Sequence, residues 1–175
     1  MSYVTLPPED VTRCLELARI VAARVKGRPN YDGLSGDAVR RYFVGYLGER
    51  AVYWWLRERK IDAHHSVNPD GRSRGADLRV GRVRIDAKAI TDPARTSFVI
   101  GAARDLSSHV YVAARKTDAI DPASWQIVGW LGRADIAKYP VTGERYGSPI
   151  KEIPLAQCRP VHILLQSLLQ EAMIA

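Results

Sequence analysis

The chain has 175 residues and a formal net charge of +7, with a pI near 9.6; that length holds one domain with a real core and would cramp two. The positive excess favours a polyanionic partner, nucleic acid first, through steering and counterion release. No stretch is long and apolar enough to span a bilayer, and no charged leader, basic amphipathic terminal helix or lipidation signal is present, which argues against a membrane and for a cytoplasmic protein, in the host cytoplasm if a virus encodes it.

From Pro7 to about Lys26, Val11, Cys14/Leu15, Ala18, Val21/Ala22 and Val25 recur at helical spacing, with Pro7 and Pro8 suited to the first turn and Gly27 to the end. Gly27 to Gly33 reads as a linking loop. A long helix is predicted from Ser35 to about Arg59, with Ser35 as its N-cap. Ile61 to Val67 fits a first strand, and Asn68 to Gly75 is a loop rich in turn formers and arginine. Ala76 to Lys88 alternates polar and apolar residues on both sides of Gly81-Arg82, the pattern of a hairpin closed by a two-residue type II′ turn. Thr96 to Ser108 is ambiguous between the start of a strand and a short helix. His109 to Ala114 and Trp125 to Leu131 read as buried strands, Arg133 to Lys138 as a helical turn stopped near Pro140, and Pro160 to Met173 as an amphipathic helix. There are no repeats and no domain boundary. The expected fold is a single α/β domain over 1–175, with helices at 7–26, 35–59 and 160–173. Its central mixed sheet of four to five strands is flanked by helices, and its core runs from about 48 to 131.

The hairpin carries the chemistry. With Gly81 and Arg82 as the turn, Val80 opposes Val83, Arg79 opposes Arg84, Leu78 opposes Ile85, and Asp77 opposes Asp86. Opposed residues have Cβ atoms about 4.5–5.5 Å apart. Two ionised carboxylates at ~5 Å repel by roughly 3 kcal/mol at an effective dielectric of ~20. Lys88 faces the same way as Asp86. Such a pair is unfavourable without a cation between them, and a divalent metal is the expected one. An Asp-x-Lys on the polar face of a strand is more often a solvated surface pair, and two further features weigh against that reading here.

Glu49 is the first. At 100° per residue it shares a stripe with Ala38, Tyr42, Gly45, Tyr46, Val52, Tyr53 and Leu56. A carboxylate inside an apolar stripe needs a metal or a partner such as an arginine or a tyrosine hydroxyl. The loop before Asp77 is the second. Its Arg72 and Arg74 suit bidentate contacts to phosphate oxygens, making them candidate nucleic-acid ligands.

A helix glutamate, then an aspartate, then Asp-x-Lys on neighbouring strands resembles the PD-(D/E)XK nuclease superfamily, the restriction-endonuclease-like fold. The motif match runs from about Gly48 to Lys88. The resemblance implies that Glu49, Asp77 and Asp86 hold one or two divalent ions, normally magnesium with manganese as a substitute. The Ala87 carbonyl would be a backbone ligand, and Lys88 would orient and activate the attacking water. The residue before Asp77 is Ala76, so the proline of the family name is missing there. A literal Pro69-Asp70 makes Asp70 a competing assignment. The hairpin register decides against it, since position 70 lies well past the paired segment.

Several other residues suggest no chemistry. Cys14 and Cys158 form no paired motif, and Cys14 falls on the inner stripe of the first helix. His64 and His65 are adjacent on a strand and point to opposite faces, so ordinary structural or surface roles are expected for both. Trp54 and Trp55 lie off the Glu49 stripe and fit core or interface better than base stacking. No local Ser-His-Asp or Cys-His signature and no Walker or Gly-x-Gly-x-x-Gly loop is present. The expected activity is magnesium-dependent hydrolysis of DNA phosphodiester bonds, by Glu49, Asp77, Asp86 and Lys88. The alternative is a catalytically inactive nucleic-acid-binding or assembly protein on the same scaffold. A homodimer would suit cutting of two strands, although no residue specifies one.

Overall fold

A computed structural model of the protein describes residues 2–25, 38–66, 76–102, 106–145 and 148–174. In chain order the elements are β1 (Ser2–Thr5), α1 (Pro8–Val25), α2 (Ala38–Arg57), β2 (His64–His65), β3 (Leu78–Val80), β4 (Val83–Ile90), β5 (Ser97–Gly101), β6 (Val110–Lys116), β7 (Ser124–Gly132), α3 (Arg133–Ala137), β8 (Gly143–Arg145), β9 (Ser148–Pro154) and α4 (Val161–Ile174). The class is α/β. Ser35, the expected cap of the second helix, and the loop with Asp70, Arg72 and Arg74 lie outside the described residues.

The main sheet has six strands in the order β1-β7-β6-β4-β3-β2, where sequence reasoning expected four to five. β1 is the added edge strand. It pairs antiparallel with β7 through Val4↔Trp125 and its neighbours. The expected first strand over Ile61–Val67 contracts to His64 and His65, paired with Arg79 and Leu78. β4 and β6 are parallel and every other pairing is antiparallel, so the sheet is mixed.

The long helices that flank the sheet all lie on one face. Helices α1, α2 and α4 cover one face, where Leu47, Val52, Trp55, Ile85, Val112 and Leu164 share one core. The opposite face is covered by a second, three-stranded sheet ordered β5-β9-β8, together with α3. There Phe98, Ile100 and Ile153 pack with Tyr111, Ala113, Leu131 and Ile136. The ambiguous segment Thr96–Ser108 thus contributes a strand at Ser97–Gly101, because a partner fifty residues downstream supplies its ladder. Residues of β6 alternate between the two cores, which is why that strand is apolar almost throughout.

Two local features fix α2 relative to the sheet. A Cβ built on Gly48 would lie 2.6 Å from the Ala89 Cβ of β4, so only a glycine lets the helix rest this close to the strand. At the helix end Lys60 takes a left-handed φ of 59°. The Ile61 amide donates to the Leu56 carbonyl and the Lys60 amide to the Arg57 carbonyl, the bond pair of a Schellman stop. Leu56 and Ile61 are both buried, and the chain is turned back toward β2. No helix among the described residues is long and apolar enough to cross a membrane.

Gly48→Ala should destabilise the protein by about 1–3 kcal/mol, since the added methyl overpacks the α2–β4 contact. Denaturant unfolding measures this, and an unchanged midpoint would show that the helix yields without cost.

Candidate functional site

The hairpin register matches the spacing argument. Val80 pairs with Val83, Arg79 with Arg84 and Leu78 with Ile85. Gly81 has φ of 53° and is the only described residue of the turn with positive φ, as a type II′ turn requires. β3 starts at Leu78, so Asp77 sits at its entrance, at the position that continues the register toward Asp86. The Asp77 side chain takes the place of a ladder partner: its Oδ2 accepts the Ala87 amide at 2.8 Å. The Asp77 carbonyl accepts the Ser66 amide at 2.9 Å, which ties β2 to the same corner. Along β4, Arg84 bonds toward His109 at the start of β6. Ala87, of opposite parity, therefore turns its backbone toward the gap at the end of β3.

Asp86 and Lys88 share the other parity. The Lys88 Nζ lies 2.6 Å from the Asp86 Oδ1 and 5.9 Å from the centroid of the Tyr111 ring, within cation–π range. Ile85, Ala87 and Ala89 pack with the helix-side core while Ile90 joins the opposite one. Asp86 and Lys88 thus project from the face away from α2. Glu49 arrives from the helix side, where its Oε2 is 2.9 Å from the His65 Nε2. The charged groups straddle the sheet at the gap where β3 begins, and this has a direct consequence. Among the described residues no set of three or more His, Cys, Asp or Glu side chains stands arranged to hold a metal ion.

The groups nevertheless feel one another strongly. Burial, and then the charge of Asp86, push the Glu49 carboxyl up to about 8, against a pull downward from Lys88. Asp77 is raised well above the usual carboxylate range by burial, with Glu49 and Asp86 adding to it and Lys88 and the Ala87 amide opposing. Burial alone would depress the Lys88 ammonium, yet Asp86 and Asp77 outweigh it and raise the group. His65 is pushed down to about 4, by burial and then by Arg50, and is neutral at pH 7. A neutral imidazole beside a carboxyl that holds its proton is a stable arrangement, one hydrogen bond satisfying both.

The donor types fit a hard divalent cation: carboxylate oxygens, and a backbone carbonyl facing the same gap. The mutual repulsion of Glu49, Asp77 and Asp86 is what such an ion would relieve. His65 engages the Oε2 of Glu49 and Lys88 the Oδ1 of Asp86, so an ion would be met by the other oxygen of each carboxylate.

The spacing brought Asp77, Asp86, Ala87 and Lys88 together as expected, and Glu49 lies within electrostatic reach of the acids. Two partners escaped it. His65 holds Glu49, a structural role whose partner the sequence did not name; Tyr111 lies near Lys88. For His65 a signal was available: Ile61, Ala63 and His65 have one parity, and the first two are buried. His64 instead points outward, 3.6 Å from the exposed Asp62. Cys14 and Trp55 are core residues as expected, and Trp54 donates its indole N–H to Asp10. In comparisons with protein-family models, curated proteins and solved structures, nothing matched the chain.

A carboxyl that holds its proton more tightly folded than unfolded loses stability for the protein as it ionises, over the range from its ordinary 4.5 to about 8 for Glu49. His65 acts oppositely, withdrawing stability as pH falls from 6.5 to about 4. The two offset each other at acid pH, and above pH 6.5 only the loss remains. The stability of metal-free protein relative to Glu49→Gln should therefore fall between pH 6.5 and 8, by thermal unfolding in chelator. A constant difference across that range would mean that Glu49 is ionised throughout.

Proposed function

We propose that this chain is a magnesium-dependent nuclease that hydrolyses DNA phosphodiester bonds on a restriction-endonuclease-like core. One observation carries the reading: Glu49, Asp77 and Asp86 gather around the half-buried ammonium of Lys88, and the charge of Asp86 raises the proton affinity of both Glu49 and Asp77, in the chain order that the resemblance assigns to metal-assisted hydrolysis. Asp77, Asp86 and the Ala87 carbonyl would hold the ion, with Glu49 as the ligand from the helix. Bound there, magnesium supplies charge screening for the phosphate, a lowered pKa for water and stabilisation of the leaving oxygen.

The residues of the chain do the rest. Lys88 keeps its proton and therefore serves as a hydrogen-bond donor, orienting a water and stabilising charge on the phosphate oxygens. Asp86 fixes the position of that ammonium. His65 keeps Glu49 directed toward the strand from the helix side. The net charge of +7 supports steering of a polyanion to the site.

A second reading has an observation in its favour. Each acid already has a partner within the protein, Lys88 for Asp86, the Ala87 amide for Asp77 and His65 for Glu49. A nucleic-acid-binding or assembly protein without hydrolytic activity would be satisfied by that arrangement.

Purified protein should cleave DNA with magnesium or manganese and stop on chelation. Lys88→Ala and Asp86→Ala should each reduce cleavage by about 10²-fold or more while remaining folded. Magnesium should also raise the thermal unfolding midpoint at pH 8 for wild type and not for Asp86→Ala. A chain that binds DNA in a salt-dependent manner, with no cleavage and no response to metal, belongs to the second reading.

A further inference from the structure

Behind the Glu49–His65 bond lies a pocket of about 260 Å³, between α1, α2 and β2. His65 is its partition: one side of the ring meets Glu49 at 2.9 Å, and the residue also lines the pocket. The floor is formed by Cys14, Tyr46 and Ala63, all buried. The mouth carries Arg13 and His64, both exposed. Arg13 makes no hydrogen bond or ion pair among the described residues, so its guanidinium is available to a ligand there.

The wall between mouth and floor is held rigid. Arg50 donates through Nη2 to both Asp10 oxygens, at 2.6 and 2.7 Å, and its guanidinium carbon lies 4.4 Å from the centroid of the Tyr53 ring. The Trp54 indole N–H donates to the same carboxylate. Asp10 is thus bonded to Arg50 and Trp54, and Arg13 is near enough to act on the same carboxylate; with two guanidiniums against one acid, the entrance keeps a net positive charge. A cationic mouth over an aromatic and apolar floor matches a ligand with an anionic end and a flat, weakly polar body. The cavity is of a size for one small ligand such as a mononucleotide, and is far too small for a duplex.

We propose that this pocket receives one unpaired nucleotide of the substrate strand, its phosphate at Arg13 and its base toward Tyr46 and Ala63. The inference deepens the nuclease reading and rests on it for the identity of the ligand. Drawing a nucleotide out of a duplex requires unstacking, which is least costly at a single-stranded tail or flap. Because His65 divides the pocket from Glu49, a nucleotide seated there would bring an adjoining phosphodiester to Glu49, on the helix side of the gap that the other acids and Lys88 reach from the opposite face. The substrate class is therefore DNA with an unpaired end.

Titration calorimetry in chelator tests this without any cleavage. dTMP should bind at least tenfold more tightly than either thymidine or inorganic phosphate. Arg13→Gln should weaken dTMP by about tenfold or more and leave thymidine unchanged. Leu17→Trp, which fills the pocket from α1, should reduce binding of both dTMP and thymidine, with thermal unfolding reporting that the variant is folded. A duplex with a short single-stranded tail should bind more tightly than a blunt duplex of equal charge, and Arg13→Gln should erase the difference. The proposal is overturned if dTMP binds no better than inorganic phosphate, or if tailed and blunt duplexes bind alike. DNA cleavage without dTMP binding would overturn the pocket and leave the nuclease reading intact. Arg13-dependent dTMP binding by a protein that never cleaves DNA would do the reverse.

Discussion

At the crossing of α2 over β4, Gly48 lies so near Ala89 that a Cβ there would come within 2.6 Å of the Ala89 Cβ. Glu49 is the next residue on the helix, and Lys88 and Asp86 stand just before Ala89 on the strand. The distance between a carboxylate on one element and two charged groups on another is therefore set by a backbone contact between two of the smallest side chains. A larger residue at position 48 would lift the helix and weaken every Coulombic interaction across the junction. The Schellman stop after α2 acts in the same direction, since it returns the chain to β2 and sets His65 against Glu49.

Three acids placed this way cannot all ionise cheaply. Burial raises the proton affinity of Glu49 and Asp77, and the charge of Asp86 raises both further. The protein answers from both sides of the sheet. On the helix side a neutral His65 shares a hydrogen bond with Glu49; on the other side Lys88 neutralises Asp86 at 2.6 Å. Asp77, between them, is held by a backbone amide and not by a charge. It is the acid with the least internal compensation, and it stands at the gap in the ladder where the Ala87 backbone also turns. Both readings of the chain depend on this corner: as a place for an external cation, or as a charge cluster already balanced enough to persist.

The hairpin was legible because its information is local. A glycine at a two-residue turn and alternation on either side fix a register that no distant contact needs to supply, so the places of Asp77, Asp86 and Lys88 followed from thirteen consecutive residues. The phase of α2 likewise put Glu49 on a buried side. What escaped was set by remote partners. Ser2–Thr5 is a strand because β7 offers it an edge more than a hundred residues later. Ser97–Gly101 is a strand because β9 pairs with it. With β5, β8 and β9 unrecognised, the cover on one face of the sheet was assigned to helices and not to a second sheet. The two sides from which the charges approach could not be separated either, because a stripe on a helix and a face on a strand carry no common reference until they are packed. The role of His65 was lost in the same way, although its parity with Ile61 and Ala63 pointed inward.

The second sheet also bears on how Lys88 could act. That sheet packs against the face from which Lys88 projects, with Tyr111 at 5.9 Å on one side of the ammonium. Burial disfavours the charged form and on its own pulls a lysine toward losing its proton and serving as a general base. Asp86 and Asp77 reverse that tendency and hold the proton in place. For the amine to become a base at neutral pH, both acids would have to be neutralised with nothing else left to stabilise the ammonium. Asp86 Oδ1 bonds the ammonium directly at 2.6 Å, so the strongest of these attractions acts at contact distance. A charged donor that aligns a water or a phosphate oxygen is therefore the role its surroundings permit.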